Sequence, residues 1–310
     1  MLTQNNSQKM IGQTHDVAVI KSVARYLHHL RTITMIRHTI PVVIASQQHR
    51  GAILAYLEGD SSYELKVVEL QHQIEHRMAT LQLLNQELSK PVAEQEIEQL
   101  LQEWFNVKSW SGGPSLENFS LHSHFIEQIM RLVWRVTEKS NFFYVDSVTG
   151  RETSDRDPGE ALAGDTMLIR FILHETPEII ELIAKIRGLA THASVIGECD
   201  AEHASRLEYL LRQLNQKKEQ FRVLSKALLK YVLRDFPALV DMQMQDSRIV
   251  QLVQLVENKV LRKPNIQLDS QDLFHMATTI INSQTEVVYQ GLDFIQNKMH
   301  RQFESDNEFD

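Results

Sequence analysis

Apolar residues recur at three- and four-residue intervals along most of this chain, and little interrupts them. From Asp16 to Thr39 they fall at Val19, Ile20, Val23, Tyr26, Leu27, Leu30 and Ile33, the spacing of one face of an α-helix. Glycine and proline break such runs, yet 310 residues include only 11 Gly and 7 Pro. Long helices with short connections follow, and an all-α fold is expected rather than a sandwich or a barrel.

The few breakers divide the chain. Pro41 is expected to open a second helix at its first turn, where its missing N–H costs nothing, with Gly59 stopping that helix. Ser61 or Ser62 starts a third that ends near Lys90, and Pro91 opens a short fourth one through Trp104. "WSGGPS" (Trp110 to Ser115) is a break, and a fifth helix after it closes near Ser140. The stretch from Val145 to Gly164, rich in acids, Gly and Pro, reads as an exposed connection between two halves. Helices are then expected near Asp165–His174, Pro177–Ile196, Ala201–Arg234, Ser247–Leu261 and Ser270–Phe303. The expectation is two antiparallel four-helix-type bundles with long shared helices over residues 15–303. Residues 1–14 would form a flexible N-terminal segment, and 304–310 a fraying acidic tail.

Charge and cysteine usage narrow the function classes. A net charge of −8 disfavours nucleic acid and anionic membrane surfaces. It does not exclude a small anion, because salt screens charges beyond about 8 to 10 Å. The single cysteine, Cys199, precludes an internal disulfide and fits a reducing, cytoplasmic setting. No apolar run reaches the roughly 18 residues that cross a bilayer, and the N-terminus lacks a leader pattern, so a soluble, unprocessed chain is expected.

One residue type breaks the helical logic twice. In "QQHRGAILAYLEG" (Gln47 to Gly59), Arg50 has Ser46, Gln47, Ile53 and Leu54 one turn away, and none is acidic. In "IAKIRGLATHASVIG" (Ile183 to Gly197), Arg187 has Ile183, Ala184, Ala190 and Thr191 around it, again without an acid. Each arginine is followed by a glycine, Gly51 or Gly188, and each box closes on a glycine. A guanidinium keeps its proton, so burying it without an anion costs several kcal/mol. Its partner is either a carboxylate from another helix or a bound anion. The adjacent glycines suit a close approach of backbone or ligand.

Both boxes resemble the signature boxes of the nitrate- and nitrite-sensing (NIT) domain family. The last helix, "SQDLFHMATTIINSQTEVVYQGLDFIQNKMHRQF", is similar to that family's closing helix, so the likeness runs from about His15 to Phe303. It implies an all-helical sensor in which Arg50 and Arg187 grip nitrate or nitrite. A planar guanidinium fork matches a planar oxyanion edge to edge. Gln47 and Thr191, one turn from their arginines, are candidates for further hydrogen bonds. The family's domain is usually fused to an output module, whereas this chain ends seven residues after its last expected helix. If the resemblance holds, the chain is expected to signal through a separate partner, or else to be a buffer or a degenerate copy. A long exposed last helix would also suit a homodimer. The alternative class is a helical interaction scaffold whose arginines are paired internally and bind no ligand.

Other constellations are weaker. "HQIEH" places His72, Glu75 and His76 in the H-x-x-E-H spacing of inverted zinc peptidases, but a third metal ligand is lacking and a solvated helix face explains it. His122 with His124, and His28 with His29, point to different sides of their helices. Arg212, Lys217, Lys218, Arg222, Lys226 and Lys230 are expected as a solvated basic face. No phosphate loop, nucleophile triad or dinucleotide fingerprint is present. The expectation is a binding protein, not an enzyme, with no cofactor and no metal.

Overall fold

The computed structural model describes residues 2–140, 142, 158–232 and 236–307, with helices throughout and no strand among them. The α-helices are α1 (Leu2–Leu57), α2 (Glu64–Glu87), α3 (Glu94–Lys108), α4 (Ser115–Lys139), α5 (Pro158–Arg170), α6 (Thr176–Ile196), α7 (Ala201–Val232), α8 (Pro237–Lys259) and α9 (Ser270–Asn307). A turn of π-helix, Phe171–Glu175, joins α5 to α6. Of the expected connection over 145–164, residues 145–157 lie outside the described residues, and 158–164 are not a loop but the first turns of α5.

The first expected boundary is absent. Pro41 lies inside α1 instead of opening a new helix. Proline removes one backbone donor and strains the preceding turn, but Met35, Ile36, Val42 and Ala45 are all buried on either side of it, so packing holds the two segments in line. The backbone of α1 is helical from Leu2, where residues 1–14 were expected to be flexible, and α9 runs on to Asn307, into the expected tail.

Two apolar cores share α1. One combines Val42, Ala45, Ala52 and Ala55 of α1 with the inner faces of α2, α3 and α4. The other joins Ile33, Ile36 and Leu54 of α1 to α5 through α9. Helix α1 packs on α2, α4, α6 and α9, and α6 packs on α1, α7 and α9. The glycine-ended α6 follows expectation: Gly197 caps it in the left-handed conformation at φ 85°, which a side chain would disfavour.

Two expectations are corrected by packing. The last helix is not an exposed one: Leu273, Ala277, Ile280, Ile281, Val287, Val288 and Leu292 of α9 are buried within the chain, which removes that ground for a dimer. On α7, Arg212, Arg222, Lys226 and Lys230 are exposed as a solvated face should be, but Lys218 is half-buried and so is Lys217. It pairs with Glu178 and lies 3.5 Å from Glu175.

Candidate functional site

The two arginine boxes meet. Helix α1 lies along α6 with the matching glycines at the crossing: a Cβ built on Gly188 would lie 3.8 Å from the Gly51 Cα and 3.3 Å from the Phe119 ring. That approach leaves little room for a Cβ, since one on Gly51 would lie 3.0 Å and one on Gly188 3.3 Å from an aromatic ring. It brings the boxes' arginines into one buried cluster, and both Arg50 and Arg187 are 0% exposed.

Arg50 is neutralised by the protein. Its Nη1 donates to Glu181 Oε1 at 2.5 Å and its Nη2 to Glu181 Oε2 at 3.2 Å, with a further bond from Nη1 to Ser123 Oγ at 3.0 Å. Gln47 Nε2 donates to the same carboxylate at 2.9 Å. Glu181 belongs to α6 and is itself 5% exposed, so this is a bidentate pair shielded from water. Lys185, 3.7 Å from Glu181, is engaged more closely by Glu127 at 2.9 Å near the surface.

Arg187 has no such partner. No carboxylate lies within ion-pair distance of it among the described residues. Its Nη2 donates to the Gln47 backbone carbonyl at 2.7 Å and its Nη1 to Thr278 Oγ1 at 2.8 Å. The Phe274 ring covers one face of the guanidinium, 4.5 Å from its centre, as Phe119 covers Arg50 at 5.0 Å. Such stacking offsets part of the desolvation cost of a cation. Burial, reinforced by the nearby Arg50, pushes the Arg187 pKa down to about 9, which leaves it charged at neutral pH. Arg50, Arg187 and Glu181 together therefore carry one uncompensated positive charge.

Several buried polar atoms around this charge lack a protein partner: Nε of both arginines, Gln47 Oε1 and Thr191 Oγ1. Buried donors are normally satisfied. Each guanidinium has one face under an aromatic ring, and the N–H groups left without an acceptor include both Nε.

Gln47, Arg50, Gly51, Arg187, Gly188 and Thr191 are thus placed as follows. Gln47 accepts from Arg187 through its backbone carbonyl and donates through its side-chain amide to Glu181, the partner of Arg50, and the glycines form the crossing. Thr191 is fully buried one turn beyond Arg187 with its hydroxyl unused. Glu181, Ser123, Thr278, Phe119 and Phe274 complete the cluster and were not singled out in the sequence. Glu181 could have been: a carboxylate between Ile179, Ile180, Leu182 and Ile183 is as anomalous in an apolar run as Arg50.

The other histidine readings resolve differently. His72 and His76 are exposed, and Glu75 is held by Lys108 at 2.9 Å. His122 is fully buried and accepts from or donates to His49 at 2.7 Å, while its Nδ1 meets the Asn118 carbonyl at 2.9 Å. Since that carbonyl only accepts, His122 Nδ1 carries a proton; burial disfavours the imidazolium in both rings, so the neutral His122 accepts at Nε2 from the His49 Nδ1–H. A further relay runs from Asp200 through His203 and His192 to Glu58 and Ser115, with contacts of 2.8 to 3.0 Å. His29, of the pair with His28, meets the Ser140 carbonyl at 3.0 Å. His174, Glu175 and Glu178 offer atoms within 4.8 Å of one another. Lys217 already supplies a cation to both carboxylates there.

A surface groove at the ends of α1 and α6 is lined by Glu58, Asp60 and Asp269, and its acids oppose an anion. No family model matches the chain, and neither does any curated protein or solved structure compared with it.

Proposed function

We propose that this chain is a small-anion sensor that binds nitrate or nitrite at Arg187, with Arg50 and Glu181 as the second wall of the site. The observation that carries this reading is the lone buried charge of Arg187, together with the unused Nε of both arginines and the unused Thr191 hydroxyl one turn on in α6. A planar monoanion presented edge-on would neutralise the charge and accept from unused N–H groups. Both arginines are sealed from solvent, so the ion enters when α1, α6 and α9 part and is trapped when they close. That coupling of occupancy to helix packing is what a separate signalling protein would read.

The resemblance of both boxes to the NIT family supports the same ligand class. A second reading, a helical scaffold with internally paired arginines and no ligand, is favoured by the Arg50–Glu181 pair and disfavoured by the absence of an equivalent at Arg187. Thermal unfolding with added nitrate, nitrite or chloride at fixed ionic strength separates the two. Sensing predicts a midpoint that rises with nitrate or nitrite in the wild type and not in Arg187→Met. Identical curves with and without these ions at millimolar concentration favour the scaffold.

A further inference from the structure

We infer that Glu181 is the specificity-determining residue of this site, setting it to accept singly charged anions and to reject doubly charged ones. The inference rests on the anion-binding reading above and adds to it a role for a residue whose polar partners among the described residues are Arg50, Gln47 and Lys185.

Arg50 and Arg187 are fully buried, Glu181 nearly so, and Lys185 is balanced by Glu127 toward solvent. Two positive charges and one negative leave one positive charge in the sealed cluster. A monoanion brings the total to zero. A dianion such as sulfate leaves a negative charge buried beside the Glu181 carboxylate, and an uncompensated buried charge is what interiors exclude most strongly. A dianion could escape that cost only by displacing Glu181 from Arg50. Glu181 is anchored there by both terminal guanidinium nitrogens and by the Gln47 amide, and it sits on the same helix as Arg187, so it competes as a tethered group at high effective concentration. Without Glu181, the two stacked arginines would form a doubly charged pocket suited to sulfate or hydrogen phosphate.

The test compares wild type, Glu181→Gln and Glu181→Asp by calorimetry and thermal unfolding with sodium nitrate and sodium sulfate at equal ionic strength. Wild type is expected to respond to nitrate and not to sulfate. Glu181→Gln, close to isosteric but uncharged, gains a sulfate response, with the nitrate-to-sulfate preference falling by about tenfold or more. Glu181→Asp, which shortens the side chain but keeps its charge, still rejects sulfate, and this separates charge from shape. Should Glu181→Gln prove too unstable, the wild type alone decides: a sulfate response as strong as the nitrate response overturns the inference. A Glu181→Gln protein that binds nitrate and still rejects sulfate overturns it as well, while leaving the anion-sensor reading intact. If neither ion acts on any of the three proteins, both fall together.

Discussion

Glu181 clasps Arg50 across the interface between α1 and α6, through two guanidinium nitrogens at 2.5 and 3.2 Å, yet it does not reach Arg187 on its own helix. Two arginines in equivalent sequence boxes therefore have opposite electrostatic standing. One is the cationic half of a buried ion pair, and the other is a buried cation held by neutral oxygens and an aromatic ring.

That asymmetry predicts opposite responses to removal of each charge. Arg50→Met leaves the buried Glu181 carboxylate without its bidentate partner, with only the Gln47 amide at 2.9 Å and Lys185 at 3.7 Å, and should destabilise the protein by about 3–5 kcal/mol. Arg187→Met removes an unpaired charge and substitutes a flexible apolar side chain under Phe274. In the absence of added anion it should be neutral or stabilising by about 1–2 kcal/mol. Urea unfolding at pH 7 measures both. Equal, large losses would show that Arg187 is as well compensated as Arg50.

Acid should weaken the fold through the buried histidine pair. His49 is held down to about 4, below its ordinary 6.5, because burial disfavours the imidazolium, and His122 is lowered by the same cause and by His49. The unfolded chain takes up these protons near pH 6.5 and the folded chain does not, so the unfolded state binds more protons in that window. Stability is full above about pH 6.5 and is lost as pH falls toward 4, by about 3 kcal/mol for His49 alone. Replacing the pair together, His49→Leu with His122→Leu, should flatten the dependence between pH 7 and pH 5. An unchanged slope in the double variant would place the acid sensitivity elsewhere.

Two glycines test whether helix approach and anion response are linked. A Cβ on Gly291 would come within 2.6 Å of Ile172 Cγ2, in the π-helical turn, and such overpacking costs about 1–3 kcal/mol. A Cβ on Gly51 would press the Phe274 ring edge at 3.0 Å, and that ring covers Arg187. Gly291→Ala should lose stability and keep its nitrate response. Gly51→Ala should lose both, as a smaller midpoint shift per millimolar nitrate. If Gly51→Ala responds to nitrate like the wild type, the ring does not shape the site.

Much of this was legible in the sequence, for physical reasons that also mark where legibility ended. Helix type and most boundaries follow from the three-and-four spacing and from caps such as Gly197, because those signals are local. Pro41 misled because its local preference to start a helix was overridden by tertiary packing on both sides of it. Arg50 and Arg187 stood out since a charge in an apolar run is costly wherever it folds. Which of them the protein neutralises depended on Glu181 reaching across to another helix, a distance in sequence that no periodicity encodes. The same holds for Phe274 and Thr278, which arrive from α9. His122 and His49 illustrate the converse: each looks unremarkable on its own helix, and only packing makes them a neutral buried pair.

The central claim is that a diffusible monoanion completes the charge of Arg187. Calorimetric titration of nitrate into the wild-type protein, with Arg187→Met as its partner experiment, tests this most directly. The account predicts saturable heat at one ion per chain in the wild type and none in Arg187→Met. An absence of binding heat in the wild type up to millimolar nitrate, or equal heat in both proteins, contradicts it.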